Sequence, residues 1–113
     1  VFNINLIKYL LNKMEIRTKT YISSEMECDT GSRNERLLNI CKYFDAKTYL
    51  SGTGAEQYND RQLFLEHDIK ITYSTFNPNT NLTNYSILHS IFINGYPKTK
   101  ELLMEKNIKS TSK

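Results

Sequence analysis

Residues 47–58 constrain the fold of this chain more than any other stretch. Residues 48–50 form a β-branched, aromatic and aliphatic run that is typical of a short buried strand. The strand is predicted to break at Ser51 and Gly52, and a helix is predicted to begin near Gly54. A strand that ends in a glycine-rich turn before a helix leaves backbone N–H groups unpaired, and ligands commonly bind there in α/β folds.

Helical and strand patterns alternate along the chain. Apolar periodicity, a Ser32–Glu35 capping-box spacing and β-branched runs predict the following elements: helix 4–15, strand 19–23, helix 32–44, strand 47–50, a helix in two pieces around Asn59 and Asp60, strand 69–73, helix 86–94 and a last helix from Pro97. Such alternation implies parallel strands joined by helical crossovers. The predicted class is α/β, a small three-layer domain with a mostly parallel sheet of about three strands flanked by helices.

The predicted domain spans residues 1–108, with a frayed tail at 109–113. A sheet of so few strands leaves edges that need cover. The chain also starts at Val1, almost directly before a helix. We therefore expect it to be half of a larger domain, completed by an N-terminal half or by a partner chain. The polar segment 77–84 is predicted to be a long loop of the kind that often binds ligands.

Composition excludes several classes of function. The net charge of +3 is spread along 113 residues, which argues against a nucleic-acid partner. No run of about 18 apolar residues is present, so no membrane span is predicted. Cys28 and Cys41 have no metal-site or redox spacing, and Cys41 falls on an apolar helix face as a small core residue. The expectation is a reduced, cytoplasmic protein without a metal site, and no particular cofactor is indicated.

Several motifs occur in an order and spacing that resemble the WbqC-like protein family. They are residues 22–25, 35–41, 46–55 with Tyr58 and Phe64, 69–76 with Pro78, and 85–95. The most specific is the Tyr-Leu-Ser-Gly-x-Gly-Ala run at 49–55. The resemblance covers nearly the whole chain and matches the C-terminal half of such proteins. It implies a role in surface-polysaccharide or O-antigen biosynthesis, as a transferase that moves glycine or another acyl or aminoacyl group to a sugar.

The first candidate binding residues lie in and after the glycine turn. Ser51, Gly52 and Gly54 are predicted to bind substrate through backbone N–H groups. The alternative is a plain turn that needs glycine for its backbone angles. Tyr58, which belongs to the family motif, is predicted to bind substrate, and its alternative is a buried aromatic of the core.

A second group of candidates comes earlier in the chain. Ser23 and Ser24 follow the first predicted strand, so they would meet Ser51 at the C-terminal edge of a parallel sheet. Glu35 and Arg36 are predicted to bind substrate at the start of a helix, where the planar guanidinium of Arg36 suits a phosphate or carboxylate. Each of these residues also has a structural alternative. Ser23 and Ser24 would be loop hydroxyls that cap the backbone, Glu35 would cap the helix, and Arg36 would be a solvated charge on the helix surface.

The predicted catalytic residue is His89, because imidazole can accept and return a proton near neutral pH. Similar proteins tend to have Asp at this position. No catalytic triad, nucleophile elbow or metal-spaced histidine pair is present in the sequence.

Three hypotheses of function remain open. The first is the transferase, acting on a small sugar or sugar-nucleotide substrate. The second is a non-catalytic interaction module that needs its N-terminal half or a partner. The third is a nucleotide-binding domain, although the full dinucleotide fingerprint is absent.

Overall fold

The computed structural model describes residues 1–76, 85–104 and 108–112. These residues form helices α1 (Phe2–Lys13), α2 (Asn34–Tyr43), α3 (Arg61–Leu65) and α4 (Ile87–Met104), strands β1 (Thr48–Gly52), β2 (Lys70–Phe76) and β3 (Ile108–Ser112), and the 3-10 helices Ser23–Glu25 and Thr53–Tyr58. The predicted α/β class is confirmed. The loop predicted at 77–84 lies outside the described residues.

The chain divides into two compact units. The first unit combines Val1–Thr20 with Phe76–Ile108, and the second combines Tyr21–Thr75 with Lys109–Lys113. The helices α1 and α4 belong to the first unit, whereas α2, α3 and most of the sheet belong to the second.

The sheet has the strand order β1-β2-β3. Strands β1 and β2 run parallel, with a register from Thr48 opposite Lys70 to Gly52 opposite Ser74. The intervening 3-10 helix and α3 provide the crossover that parallel strands require. The predicted parallel pairing is therefore confirmed for β1 and β2.

The strand predicted at 19–23 is wrong. Residues 16–22 are irregular, and Ser23–Glu25 forms a 3-10 helix. Thr18, Thr20 and Tyr21 are exposed, and such residues favour a strand only where one face packs against a core. The third strand of the sheet is instead β3, in the segment where the sequence predicted the beginning of a frayed tail.

The hydrophobic core of the second unit lies between α2, α3 and strand β2. Its buried members are Leu38, Cys41, Phe64, Ile69, Ile71 and Tyr73. Cys41 is a small core residue, as predicted, and burial raises the pKa of its thiol. Both Cys41 and Cys28 are free thiols. Tyr49 of β1 packs against this core, so the core supports both β1 and β2.

In the first unit, α4 is divided by a sharp change of backbone direction at Gly95, where φ is 77° and ψ is 171°. This confirms the predicted end of a helix at Asn94 and Gly95. The buried hydroxyls of Ser90 and Thr99, one on each side of Gly95, lie 3.1 Å apart in a hydrogen bond. The amide of Asn94 also donates to the hydroxyl of Ser90 at 3.3 Å.

Three helices end in the same backbone cap without the glycine that is usual there. The residue at the turn has a positive φ of 56° at Glu15, 49° at Asp45 and 58° at Asp68. After α3, the N–H of Asp68 donates to the carbonyl of Leu65 and the N–H of Ile69 donates to that of Phe64, both at 3.0 Å. These are the two hydrogen bonds of a Schellman motif, which satisfies the last carbonyls of a helix.

We expect Asp68→Gly to stabilise the protein by about 1 kcal/mol, because glycine adopts a positive φ without the steric cost of a Cβ atom. The control is Glu66→Gly, since Glu66 has right-handed helical angles and glycine there should cost about 0.5–1 kcal/mol. Urea unfolding of both variants measures the two changes. Equal destabilisation by both would contradict the role given to the positive φ of Asp68.

Candidate functional site

A crevice of about 320 Å³ opens in the second unit beside β1 and the 3-10 helix that follows it. We call it the β1 crevice, and it is lined by Arg33, Asn34, Leu37, Tyr49, Ala55, Tyr58 and Asn59. Its walls come from the start of α2, from β1 and from the 3-10 helix after β1. In open α/β sheets, the segments that follow parallel strands commonly contribute to ligand sites.

The side chain of Asn59 connects the crevice to the core. Its amide nitrogen donates to the hydroxyl of Ser51 at 3.1 Å and to the phenol oxygen of Tyr73 at 3.2 Å. The Ser51 hydroxyl in turn donates to the carbonyl of Gly52 at 3.3 Å. Because Ser51 is only 4% exposed, its hydroxyl fixes Asn59 from behind the crevice. A ligand in the crevice would meet the amide of Asn59 before it met Ser51.

Asn34 joins the two walls of the β1 crevice. Its amide nitrogen donates to the carbonyl of Tyr58 at 2.9 Å, and its carbonyl oxygen accepts the N–H of Asp60 at 3.0 Å. The carboxylate of Asp60 also caps α3 by accepting the N–H of Leu63 at 3.1 Å. Since both polar groups of Asn34 are engaged, the first turn of α2 is tied to the end of the 3-10 helix, which preorganises the crevice.

Arg33 supplies the cation of the β1 crevice and has an unusual backbone conformation. Its φ is 45° and its ψ is −112°, and it precedes α2 without a side-chain cap. A residue other than glycine held at a positive φ costs of order 1–3 kcal/mol, and such residues concentrate at functional sites. The strained position makes Arg33 the strongest functional candidate among the residues that line the crevice.

The model of one protein family matches residues 1–100 of this chain. That family is described as the WbqC-like protein family. The chain belongs to the WbqC-like protein family. No curated protein and no solved structure matches it. The resemblance seen in the sequence motifs is thereby confirmed, while the correspondence to the C-terminal half of the family stays a prediction.

In this WbqC-like chain, Arg36 and Ser23 come together at a third residue, Asp29. The guanidinium of Arg36 donates to both carboxylate oxygens of Asp29, from Nη2 at 2.9 Å and from Nε. These bonds from Arg36, and a weaker one from Ser23, hold the pKa of Asp29 below its usual value. The predicted ligand clamp is therefore occupied by a carboxylate of the same chain. An anionic ligand at Arg36 would have to displace Asp29.

The other early candidates lie at the surface. Ser24 is exposed within the first 3-10 helix, and Glu35 is exposed in the first turn of α2. The capping box predicted for Ser32 and Glu35 is wrong, because the N–H of Glu35 donates to the backbone carbonyl of Ser32 at 3.0 Å and α2 has no side-chain cap. A substrate-binding role for Ser24 and for Glu35 stays a prediction.

The glycines of the turn after β1 are not required by its conformation. Gly52 has an ordinary extended φ of −72°. A Cβ atom built on Gly52 or on Gly54 meets nothing within 4 Å. The alternative interpretation, a turn that needs glycine angles, is therefore wrong. The small size of both residues leaves the backbone beside the β1 crevice open, and their binding role stays a prediction.

Tyr58 lines the β1 crevice and is 68% exposed, so the alternative that it is a buried core aromatic is wrong. His89 lies in the first unit on α4, where its half-buried ring meets the ring of Tyr85 edge-to-face at 5.3 Å. Its catalytic role stays a prediction. Sequence reasoning missed Arg33, Asn34 and Asn59 as site residues. The one signal that pointed to any of them was the Asn59-Asp60 pair, which suggested a break between helices.

Two structural findings concern metals and membranes. Within residues 1–75 and 85–104, no group of three His, Cys, Asp or Glu side chains could hold a metal ion. Among the helices that the structure describes, none combines the length and the apolar character needed to cross a bilayer.

Proposed function

We propose that this WbqC-like protein is a transferase of surface-polysaccharide biosynthesis that moves an acyl or aminoacyl group, such as glycine, to a sugar. The β1 crevice would hold one of the two reacting groups. The observation that carries the proposal is the crevice itself, which places one guanidinium and two amide side chains around an aromatic and aliphatic wall. A mostly apolar cleft with a few polar groups that fix orientation is typical of a small-molecule site.

The size of the β1 crevice favours a single sugar ring or an aminoacyl group over a complete sugar nucleotide. Its volume of about 320 Å³ lies near the lower end of the range of about 300–1,000 Å³ for small-molecule pockets. The rings of Tyr49 and Tyr58 offer apolar surface to the carbon atoms of a sugar, and the guanidinium of Arg33 and the carbonyl oxygen of Asn59 offer polar atoms for its substituents. The nucleotide-binding hypothesis is correspondingly less favoured.

The proposed chemistry is acyl transfer. The amine nitrogen or hydroxyl oxygen of the sugar attacks the carbonyl carbon of the donor and forms a C–N or C–O bond. The donor's leaving group then departs with the electrons of the bond that breaks, and the attacking atom loses its proton. In this scheme Arg33 stabilises the oxygen anion that develops on the carbonyl, which is the largest single contribution in many such reactions. A general base accepts the proton that the attacking atom loses.

Binding of small fragments tests the proposal. Glucosamine, as an acceptor probe, and glycinamide, as an aminoacyl probe, are titrated into the isotope-labelled chain while amide NMR signals are followed. We expect at least one probe to shift the signals of residues 33–37 and 55–59. Tyr58→Ala should weaken that binding by about ten-fold, because it removes an aromatic face.

The matched control is Tyr43→Ala, since Tyr43 is similarly exposed, at 61% against 68% for Tyr58, but does not line the crevice. This variant should bind the probes as the original chain does. The proposal is wrong about the crevice if neither probe shifts these signals, or if both tyrosine variants lose affinity equally.

A second candidate function, the non-catalytic interaction module, is favoured by apolar side chains exposed on α4. Phe92 is 86% exposed and its neighbour Ile93 is 64% exposed. Adjacent large apolar residues in contact with water are common at protein interfaces. An interaction module would show no probe-induced shifts in the titration above, while its unfolding temperature would rise with the concentration of a partner.

A further inference from the structure

A second, shallow cavity of about 510 Å³ opens at the surface of the first unit where the chain leaves α1, and its lining residues are exposed or half-buried. We call it the α1 cavity, and it is lined by Lys8, Leu11, Asn12, Glu15, Ile16, Arg17, Thr18 and Thr20. All eight residues belong to the segment Val1–Thr20. The cavity is therefore separate from the β1 crevice, whose lining belongs to the second unit.

The cap at the end of α1 creates the α1 cavity. Glu15 adopts a positive φ of 56°, and the N–H of Ile16 reaches back to the carbonyl of Leu11 at 2.8 Å. The irregular residues that follow line the cavity together with the last turns of the helix. Lys8, Leu11 and Asn12 are spaced at i, i+3 and i+4, so they share one helix face, and that face forms the other wall.

The charges around the α1 cavity favour an anion. Lys8 and Arg17 contribute two cations to the lining. The carboxylate of Glu15 accepts a hydrogen bond from the ammonium of Lys100 at 3.2 Å, so its charge is compensated. No ion pair between described side chains, within residues 1–75 and 85–104, engages Lys8 or Arg17. With respect to these described side chains, both cations are available to a ligand.

The position at a helix C-terminus opposes anion binding, but only weakly. The helix dipole contributes roughly half a negative charge there, against two full positive charges from side chains. In addition, the carbonyls of Leu10, Leu11 and Asn12 already accept hydrogen bonds from Met14, Ile16 and Glu15 at 2.8–2.9 Å. The side-chain cations therefore dominate the electrostatics of the cavity.

The uncharged residues of the lining indicate which other chemical groups an anionic ligand would have. The amide of Asn12 and the hydroxyls of Thr18 and Thr20 can each donate and accept hydrogen bonds, which suits hydroxyl groups. Leu11 and Ile16 offer aliphatic surface to a carbon skeleton. We propose that the α1 cavity is a second ligand site that binds a phosphate monoester of a small polyhydroxyl molecule, with the phosphate at Lys8 and Arg17. This proposal goes beyond the transferase function and does not depend on it.

Glucose 6-phosphate is the probe for this site. When it is titrated into the isotope-labelled chain, we expect saturable shifts of the amide signals of residues 15–20. Arg17→Ala should weaken the binding at least about ten-fold, because a charge-assisted hydrogen bond to phosphate is lost. The control is Lys13→Ala, which removes a cation of α1 that lies over the ring of Tyr9 and does not line the cavity. The affinity of the Lys13→Ala variant should stay within about two-fold of the original, because an exposed charge that does not contact the phosphate is screened by solvent and salt.

Two further ligands complete the test. Glucose should bind far more weakly than glucose 6-phosphate, and inorganic phosphate should bind measurably but less tightly. Inorganic phosphate binding as tightly as the sugar phosphate would overturn the assignment of a monoester. Unsaturable shifts, or an Arg17→Ala variant with unchanged affinity, would overturn the site itself. Because the shifts are read at residues 15–20, failure here is distinguishable from failure of the β1 crevice at residues 33–59.

Discussion

Phe64→Ala should lower the free energy of unfolding by about 3–5 kcal/mol, because it removes a fully buried aromatic ring and leaves a cavity. Phe64 is 0% exposed, and its ring stacks on that of Tyr49 at a centroid distance of 5.6 Å. Its carbonyl also accepts the N–H of Ile69 in the cap of α3. Natural domains are stable by only about 5–15 kcal/mol, so this one substitution should remove a large part of the total.

Urea unfolding followed by circular dichroism measures the change. The control is Leu65→Ala, because Leu65 is the next residue of the same helix but is 57% exposed, and it should cost less than about 1 kcal/mol. A result in which both variants lose the same stability would show that Phe64 is not central to the core. The Phe64 ring supports Tyr49, which lines the β1 crevice, so Phe64→Ala should also weaken the binding of any ligand in that crevice.

Local sequence signals were sufficient for most of the fold. Apolar periodicity predicted α1 and α2 to within about two residues, as expected for regular amphipathic helices. Asn59 and Asp60 correctly divided the segment after β1, because Asp60 caps α3 with its side chain. The break at Gly95 was also predicted, since glycine is the residue that ends a helix most readily.

The predictions that failed depended on competition between similar hydrogen bonds or on packing. Ser32 and Glu35 have the spacing of a capping box, but the backbone carbonyl of Ser32 takes the N–H that the Ser32 side chain would accept. Propensity also placed a strand at 19–23, where no buried face supports one.

The candidate site was predictable only in part. Of the family motif around β1, Tyr49, Ala55 and Tyr58 line the β1 crevice, whereas Ser51, Gly52 and Gly54 do not. Asn34 could not be identified from the sequence, because its hydrogen bonds reach Tyr58 and Asp60, which lie 24 and 26 residues further along. Arg33 was overlooked in favour of Arg36, since the helix start that distinguishes them became visible only in the folded backbone.

Gly95→Ala should destabilise the first unit by about 1–3 kcal/mol, because the backbone angles at Gly95 fall in a region that is essentially restricted to glycine. A steric clash does not explain the cost, since the nearest atom to an added Cβ is Cδ of Pro97 at 3.9 Å. The variant cannot relax into one straight helix without further cost, because Pro97 lacks an N–H and disfavours helical angles at Tyr96. Straightening would also separate the buried hydroxyls of Ser90 and Thr99.

Urea unfolding gives the magnitude for Gly95→Ala, and the NMR signal of Thr99 reports whether its hydrogen bond to Ser90 persists. The control is Gly54→Ala, because Gly54 lies outside the left-handed region and has nothing within 4 Å of an added Cβ. That substitution should stabilise the chain by about 0.4–1 kcal/mol through a less flexible unfolded state. If Gly95→Ala proves neutral while Gly54→Ala is costly, the assignment of backbone strain to Gly95 is reversed. An unchanged Thr99 signal with a lower stability would locate the strain at Gly95 alone, whereas a displaced signal would mean that the strain is transmitted to the buried Ser90–Thr99 pair.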